Sequence, residues 1–296
     1  MACARLQNGR LSQDTKGGPR VACFAYLPDR RPRAEKEPMS RSHYTFGDNQ
    51  LAAARLERLA QAYAPSSAQF LRRAKPESVR FALDLGSGLG LTTDLVQHIT
   101  GAQVTGYERS PGYLSLARER FPHLTFRDVD VLAPPYPDHG ADLIYGRFLL
   151  THLHTPEVVV KACLAHLRPG GRLLLEETAE LESPLPALQR YYALVKDMQA
   201  HYGQELHMGR RLPALAAALA GARTTARQTP LTMAAPTMAR LHAMNIATWK
   251  SDPYMSQAHA AAELDALEDE LNAIADGSAA HTPGRCVMAQ VIVERI

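Results

Sequence analysis

A glycine-rich segment, Asp84-Leu-Gly-Ser-Gly-Leu-Gly90, constrains the fold of this chain more than any other feature. It follows an apolar run over 80–85 that predicts a buried strand, and it precedes a helical pattern over 89–100. Because glycine has no Cβ, such a strand–turn–helix brings backbone N–H groups close to a ligand. The third glycine of the dinucleotide fingerprint would fall at Leu91, so the segment argues against NAD.

Strand and helix patterns alternate beyond this turn. Short apolar runs predict strands over 103–108, 124–127, 141–145 and 171–176, with helices over 113–120 and 156–167. This βαβ alternation predicts an α/β fold, a doubly wound and largely parallel sheet with helices on both faces. The later pattern is mostly helical, over 185–202, 212–220, 238–249 and 257–275, with two further strands over 222–229 and 286–295.

The domain organisation follows from the same patterns. Residues 1–38 show no periodicity and predict a disordered leader, with a basic arm for a partner as the alternative. Residues 39–75 predict a helical cap, broken near Pro65, and residues 76–296 one domain with helical insertions at about 184–220 and 236–280. The second insertion is interpreted as a lid or substrate wall, and ordinary helical packing is its alternative.

Charge and cysteine usage exclude several classes of protein. Lys and Arg total 33 against 30 for Asp and Glu, so a near-neutral chain of 296 residues has no general attraction to nucleic acid. The four cysteines are scattered without a Cys-x-x-Cys pair, which predicts free thiols, no metal site and a reducing cytoplasm. No run of 18 apolar residues predicts a membrane span. The sequence does not decide whether the chain forms a homodimer.

Acidic residues at two later strand ends suit a nucleoside. Glu108 closes the second predicted strand, where a carboxylate accepts hydrogen bonds from ribose hydroxyls, although a solvated strand end is the alternative. Asp130, beside apolar Val131, suits the exocyclic amine and the face of an adenine. Asp128 competes with Asp130 for this role, and the sequence leaves the choice open.

Taken together, these motifs resemble the class I S-adenosylmethionine-dependent methyltransferases over residues 40–296. The resemblance rests on Phe81–Gly90, Glu108, Asp130, Asp142–Tyr145 and the Leu-Arg-Pro-Gly-Gly turn over 167–171. It implies a seven-stranded Rossmann-like sheet with an antiparallel last strand. It also implies that the glycines face the methionine part of the cofactor, Glu108 the ribose, and Asp130 with Val131 the adenine.

The predicted leader helix resembles that of a subgroup of these enzymes. There, residues corresponding to Tyr44 and Arg55 fold over the cofactor and help to hold its carboxylate, and a solvated helix face is the alternative for Arg55. The cofactor-binding residues that the resemblance implies are Tyr44, Arg55, Asp84, Gly86, Ser87, Gly88, Glu108, Arg109, Asp130, Val131 and Arg147.

Two histidines after the fourth strand are the candidate catalytic bases. An oxygen or nitrogen acceptor must lose a proton during methyl transfer, and His152 and His154 lie where the mouth of this fold is expected. Helix packing or capping is the alternative for both, and a metal-binding pair is disfavoured because residues two apart point to different faces. Weaker candidates are Glu177, Tyr191, Tyr192, His201, His207, His242 and Tyr254.

Two motifs of other methyltransferase classes are incomplete. Ala133-Pro-Pro-Tyr136 resembles the motif of DNA adenine methyltransferases, but Ala133 replaces the required Asp or Asn and the motif precedes the fourth strand. Gly146-Arg147 stands where catechol-type enzymes carry a magnesium-binding Asp. The sequence therefore predicts a methyltransferase acting on an oxygen, or a nitrogen, of a small biosynthetic molecule. The alternatives are a peptide or protein methyltransferase and a catalytically inactive cofactor-binding subunit.

Overall fold

A seven-stranded sheet organises the protein, with strand order β3-β2-β1-β4-β5-β7-β6. The computed structural model describes residues 50–279 and 282–296. The first five strands pair in parallel, and β7 runs antiparallel to both β5 and β6. The strands are β1 (Phe81–Leu85), β2 (Gln103–Glu108), β3 (Thr125–Asp128), β4 (Ala141–Arg147), β5 (Leu167–Glu182), β6 (Ala222–Ala234) and β7 (Pro283–Arg295). The predicted doubly wound sheet is confirmed, as is its antiparallel last strand.

Helices cover both faces of this sheet and build a layer beyond the end of β5. They are α1 (Gln50–Ala74), α2 (Leu91–Thr100), α3 (Pro111–Arg120), α4 (Pro156–His166), α5 (Pro186–His201), α6 (Met208–Ala217), α7 (Ala235–Trp249), α8 (Pro253–Ala258) and α9 (Ala261–Ala273). A 3₁₀ turn, Leu150–His152, follows β4. None of the helices in the described ranges is long and apolar enough to span a bilayer.

Local sequence accounts for the elements that carry the site. β1 lies between β2 and β4, and four of its five residues are buried, as expected for a central parallel strand. Gly90, with φ 80°, turns the chain into α2. Ser110 caps α3 by accepting a hydrogen bond from the Tyr113 N–H at 3.2 Å, and Pro111 occupies the first turn.

Several predicted boundaries are wrong, and three of them have a cause that the structure shows. α1 continues through Pro65, because its second half is held by tertiary contacts such as the hydrogen bond from Arg147 Nη1 to Ser67 Oγ at 3.0 Å. β5 begins at Leu167, where a turn was expected, because a register shift in its pairing with β4 accommodates Gly170 at φ 74°. The helix expected over 257–275 divides into α8 and α9, since His259 leaves the helical conformation.

Two apolar clusters form the core around the site. One packs the β-sheet against α4 and α6 and includes Leu85, Ile144 and Val291. The other lies among α1, α5, α7 and α9 and includes Trp249 and Met238. Helix α7 packs against both α1 and α5, so the helices after β5 meet the N-terminal helix. The predicted leader 1–38 and Tyr44 lie outside the described residues.

Gly209, near the start of α6, supplies a direct test of this packing. A Cβ at this position would lie 2.6 Å from the Glu177 carbonyl oxygen and 2.7 Å from the Ala179 backbone nitrogen. Backbone atoms cannot yield as a flexible side chain does, so we expect Gly209→Ala to lower the free energy of unfolding by about 3 kcal/mol in urea titrations. In the control Gly284→Ala, the nearest atoms are 3.6 Å away. Equal stability of the two variants would contradict this packing.

Candidate functional site

A cleft of about 460 Å³ opens at the carboxyl ends of β1, β2 and β4. This is the edge of a parallel sheet at which doubly wound folds bind ligands. Most of the residues predicted from sequence lie together in its wall. These are Arg55, Gly86, Ser87, Gly88, Glu108, Arg109, Asp130, Val131, Arg147 and His152.

The glycine turn and the carboxylate after β2 are joined directly. Glu108 Oε2 accepts a hydrogen bond from the Gly88 N–H at 2.9 Å, and Oε1 accepts from the N–H groups of Arg109 and Ser110, each at 2.8 Å. Gly86 and Gly88 have φ of 66° and 52°, in the region that favours glycine. One carboxylate therefore fixes the loop after β1 relative to the loop after β2.

Asp84 supports the glycine turn from behind the cleft wall. It is fully buried, and its Oδ2 accepts hydrogen bonds from the hydroxyls of Thr92 and Thr93, both at 2.7 Å. Burial raises the pKa of Asp84 to about 6. Its Oδ1 is buried and has no hydrogen-bond partner among the described residues. Asp84 thus holds the first turn of α2 and leaves one acceptor atom for another group.

The opposite end of the cleft is acidic and apolar. Asp130 Oδ1 accepts from the Leu132 N–H at 2.9 Å, and Asp130 Oδ2 lies 3.7 Å from Arg109 Nη1. Val131 is buried beside it. Asp128 pairs with Glu108 in the sheet, is exposed, and does not belong to the cleft wall. Between the two competing carboxylates, the geometry favours Asp130.

Two arginines approach the glycine end of the cleft from different elements. Arg147 ends β4, stacks over the Phe148 ring at 5.7 Å and donates to Ser67 of α1. Arg55 lies in the first half of α1 and is 5% exposed. A buried guanidinium is suited to bidentate contact with a carboxylate, so this end of the cleft can hold an anionic group.

The two candidate bases differ in their surroundings. His152 lines the cleft, whereas His154 is exposed and lies outside the cleft wall. Burial, together with the charge of Arg55, lowers the pKa of His152 to about 3, although a hydrogen bond with Gln204 acts in the opposite direction. The His152 imidazole is therefore neutral at physiological pH, the form in which one ring nitrogen can accept a hydrogen bond from a ligand in the cleft.

Glu177, a weaker candidate in the sequence analysis, instead stabilises the loop after β4. Glu177 is fully buried and outside the cleft wall, and its Oε1 accepts a hydrogen bond from the Leu150 N–H at 2.7 Å. The backbone N–H groups of Leu149 and Thr151 are also close enough to act on its pKa. This loop contains Phe148 at φ 54°, a conformation rare for a bulky residue. Leu149 then meets the glycine turn, since a Cβ on Gly86 would lie 3.0 Å from Leu149 Cδ1.

The sequence analysis missed this loop as part of the site. The sequence of residues 148–151 does not predict a positive φ at Phe148, and it does not predict that Glu177 lies against the N–H groups of this loop. The available signal is indirect. Two adjacent glutamates, Glu176 and Glu177, end an apolar run, and charged residues buried at a strand end need partners.

The cleft fits a nucleoside that carries a charged amino-acid tail. Its volume lies in the usual range for small-ligand sites, about 300–1,000 Å³. Glu108 and Asp130 offer acceptors at one end. At the other end the glycines allow close backbone approach, and Arg147 with Arg55 supplies positive charge.

Comparison with known proteins agrees with this geometry. Residues 83–175 match a family described as "Methyltransferase domain". A trans-aconitate 2-methyltransferase of Methylobacterium radiotolerans is 33% identical over 145 residues, which cover 49% of this chain and 55% of that protein. A demethylmenaquinone methyltransferase of Tropheryma whipplei is 34% identical over 38% of this chain and 46% of its own. The chain thus spans about half the length of the curated relatives it matches.

Solved structures share the fold at low sequence identity. The YcgJ protein of Bacillus subtilis aligns with a TM-score of 0.52 and 15% identity, over 78% of this chain and 97% of that one. Phosphoethanolamine N-methyltransferase 2 of Haemonchus contortus, solved with S-adenosyl-L-methionine, aligns with a TM-score of 0.50 and 15% identity. The alignment covers 80% of this chain and 57% of that one. These similarities establish the fold.

Proposed function

We propose that this chain, which contains a class I S-adenosylmethionine-dependent methyltransferase domain, transfers a methyl group to an oxygen, or a nitrogen, of a small molecule. One observation carries the proposal: Glu108 binds the Gly88 N–H inside a cleft that also contains Asp130 and Arg147. The named activities of the relatives, on trans-aconitate and demethylmenaquinone, support a small-molecule acceptor.

Each end of the cleft has a part in holding the cofactor. Glu108 accepts the ribose hydroxyls, and Asp130 beside Val131 accepts the adenine amine. Arg147 and Arg55 hold the methionine carboxylate. The unpartnered Oδ1 of Asp84 provides an acceptor for the ammonium group, reached through water behind the glycine turn. When bound, S-adenosylmethionine supplies an electrophilic methyl group on a sulfonium.

The rest of the reaction depends on positioning and on removal of a proton. The cleft wall of Leu59, Phe148 and Leu149 excludes water from the reacting atoms. With the cofactor bound, a ring nitrogen of His152 would take the proton that an acceptor hydroxyl or ammonium loses, which leaves the oxygen or nitrogen a lone pair for the methyl carbon. The sulfonium–methyl bond would break as the new bond forms, and its electrons would stay on sulfur. Holding the acceptor in line supplies much of the acceleration, because the donor is already activated.

The proposal is tested by binding and by transfer. Calorimetry should show S-adenosylhomocysteine binding, and incubation with methyl-labelled S-adenosylmethionine should place label on a small molecule. Trans-aconitate and a soluble demethylmenaquinone analogue are the first acceptors to be tested, and mass spectrometry identifies the methylated product. Absence of cofactor binding, or label found in peptides alone, would overturn the proposal.

His152→Ala should separate catalysis from cofactor binding. We expect kcat to fall roughly 100-fold, within the range for loss of a general base, while the dissociation constant of S-adenosylhomocysteine stays within about twofold. His154→Ala is the matched control, because this exposed histidine lies outside the cleft wall. If both variants turn over equally fast, His152 is not the base.

A further inference from the structure

A cluster of polar side chains is buried where α5 and α7 meet, and the cofactor cleft does not account for it. The cluster consists of Tyr191, Tyr192, His242 and Asn245. The rings of Tyr191 and His242 stack with centroids 4.1 Å apart, and the Tyr192 ring lies edge-on to His242 at 5.2 Å. Asn245 Nδ2 donates a hydrogen bond to Tyr191 Oη at 2.6 Å. We refer to these residues as the α5–α7 polar cluster.

Several polar atoms of this cluster lack partners within the described part of the chain. They are both ring nitrogens of His242, Oδ1 of Asn245 and the hydroxyl of Tyr192. His242 is 8% exposed and Asn245 is 6% exposed, so bulk water does not solvate these atoms. Each unsatisfied buried group costs about 1–3 kcal/mol, which makes such a concentration in one place unfavourable unless a further molecule binds there.

Arg55 connects the cluster to the cofactor cleft. It lines the cleft, and its positive charge contributes to lowering the pKa of both His152 and His242. Among the described residues, Arg55 is the one charged group that shifts the pKa of His242. Burial is the larger cause, and the pKa of His242 falls to about 3. Both histidines are thus neutral, and Arg55 lies on α1, which packs against α7, the helix that carries His242.

We infer that the α5–α7 polar cluster, together with Arg55, binds a small acceptor that carries both a carboxylate and a hydroxyl group. The carboxylate would face Arg55, whose guanidinium carries five N–H donors and can contact the acceptor carboxylate on one edge while the methionine carboxylate lies on another. The hydroxyl would use the cluster, because neutral His242 offers one donor and one acceptor and Asn245 offers an acceptor. This inference rests on the proposed function and names its substrate class.

The single tryptophan of the chain reports on the cluster without any assay of activity. Trp249 is buried in α7, and its ring lies 6.3 Å from that of Tyr191. The experiment titrates the protein, saturated with S-adenosylhomocysteine, while tryptophan fluorescence is recorded. The probes are 4-hydroxybenzoate and citrate, compared with methyl 4-hydroxybenzoate and trimethyl citrate, which keep the hydroxyl and remove every carboxylate charge.

We expect at least one acid to change the fluorescence at millimolar concentration and its ester to bind at least tenfold more weakly. His242→Phe, which preserves an aromatic ring but removes both nitrogens, should lower the binding affinity for that acid at least tenfold, equivalent to about 1.4 kcal/mol. Asn245→Leu should act in the same direction if His242→Phe folds poorly. His201→Phe, exposed at the end of α5, is the control and should bind as the wild type does.

The outcomes separate this inference from the proposed function. Loss of S-adenosylhomocysteine binding in the wild type would contradict the proposed function. If the cofactor product binds, the inference is wrong when acid and ester bind equally, when neither acid binds at about 10 mM, or when folded cluster variants bind the acid like the wild type.

Discussion

Replacing Glu108 with alanine is expected to weaken S-adenosylhomocysteine binding by roughly 100-fold, or about 2.7 kcal/mol. The carboxylate accepts from three backbone N–H groups, including that of Gly88 at 2.9 Å, besides the ribose hydroxyls we assign to it. Hydrogen bonds to a charged group contribute about 1.5–3 kcal/mol each. Alanine removes the ribose acceptor. It also removes the hydrogen bond that fixes the glycine turn to the loop after β2, so the position of the turn against the cofactor is lost as well.

Two further variants distinguish recognition from general damage. Glu108→Gln keeps one oxygen acceptor but directs an NH₂ group at one set of N–H donors, so its affinity should fall between those of wild type and alanine variant. Glu119→Ala removes an exposed glutamate from α3 and should bind normally. Calorimetry measures the affinities and thermal unfolding confirms folding. A folded Glu108→Ala protein with affinity within threefold of wild type would remove Glu108 from the site.

The parts of the fold that local sequence determines were predictable. β2 occupies Gln103–Glu108 as expected, because an apolar run between turn signals specifies a buried strand without information from elsewhere. The glycine turn predicted a ligand cleft at the end of β1, and the alternation of strand and helix patterns predicted a largely parallel sheet with helices on both faces. In each case the decisive residues are close together in the chain.

The parts that depend on distant contacts were not predictable. Tyr191 and Asn245 are 54 residues apart, and no local pattern indicates that their polar atoms share a hydrogen bond. α1 passes through Pro65 because Arg147, far along the chain, holds Ser67. Local propensity favoured a break there, and tertiary packing outweighed it.

Glu177→Leu is expected to lower the free energy of unfolding by about 4 kcal/mol. The substitution leaves the Leu150 N–H without its buried acceptor and removes the carboxylate that the N–H groups of Leu149 and Thr151 approach. These donors fix the loop that holds Phe148 at a positive φ and places His152 in the cleft. Turnover should therefore fall as well, through misplacement of His152, although Glu177 lies outside the cleft wall.

The charge of Glu177 makes this stability depend on pH. Burial, reinforced by the neighbouring Glu176, raises the pKa of Glu177 to about 8, above the ordinary value of 4.5, while the three N–H groups act in the opposite direction. A raised pKa means that the folded protein holds the proton more tightly than the unfolded chain. The stabilisation is fully present below pH 4.5 and is lost as the pH rises towards and through 8.

Glu177→Gln isolates this effect, because the amide keeps an oxygen acceptor and cannot ionise. Urea unfolding at several pH values should show that the stability of the variant, relative to wild type, rises by about 5 kcal/mol between pH values below 4.5 and above 8. Glu119→Gln, on the exposed face of α3, should follow the wild-type curve. If the free energy of unfolding of Glu177→Gln varied with pH in parallel with that of the wild type, Glu177 would be ionised throughout this pH range. Its N–H donors would then fully compensate the cost of burying the charge.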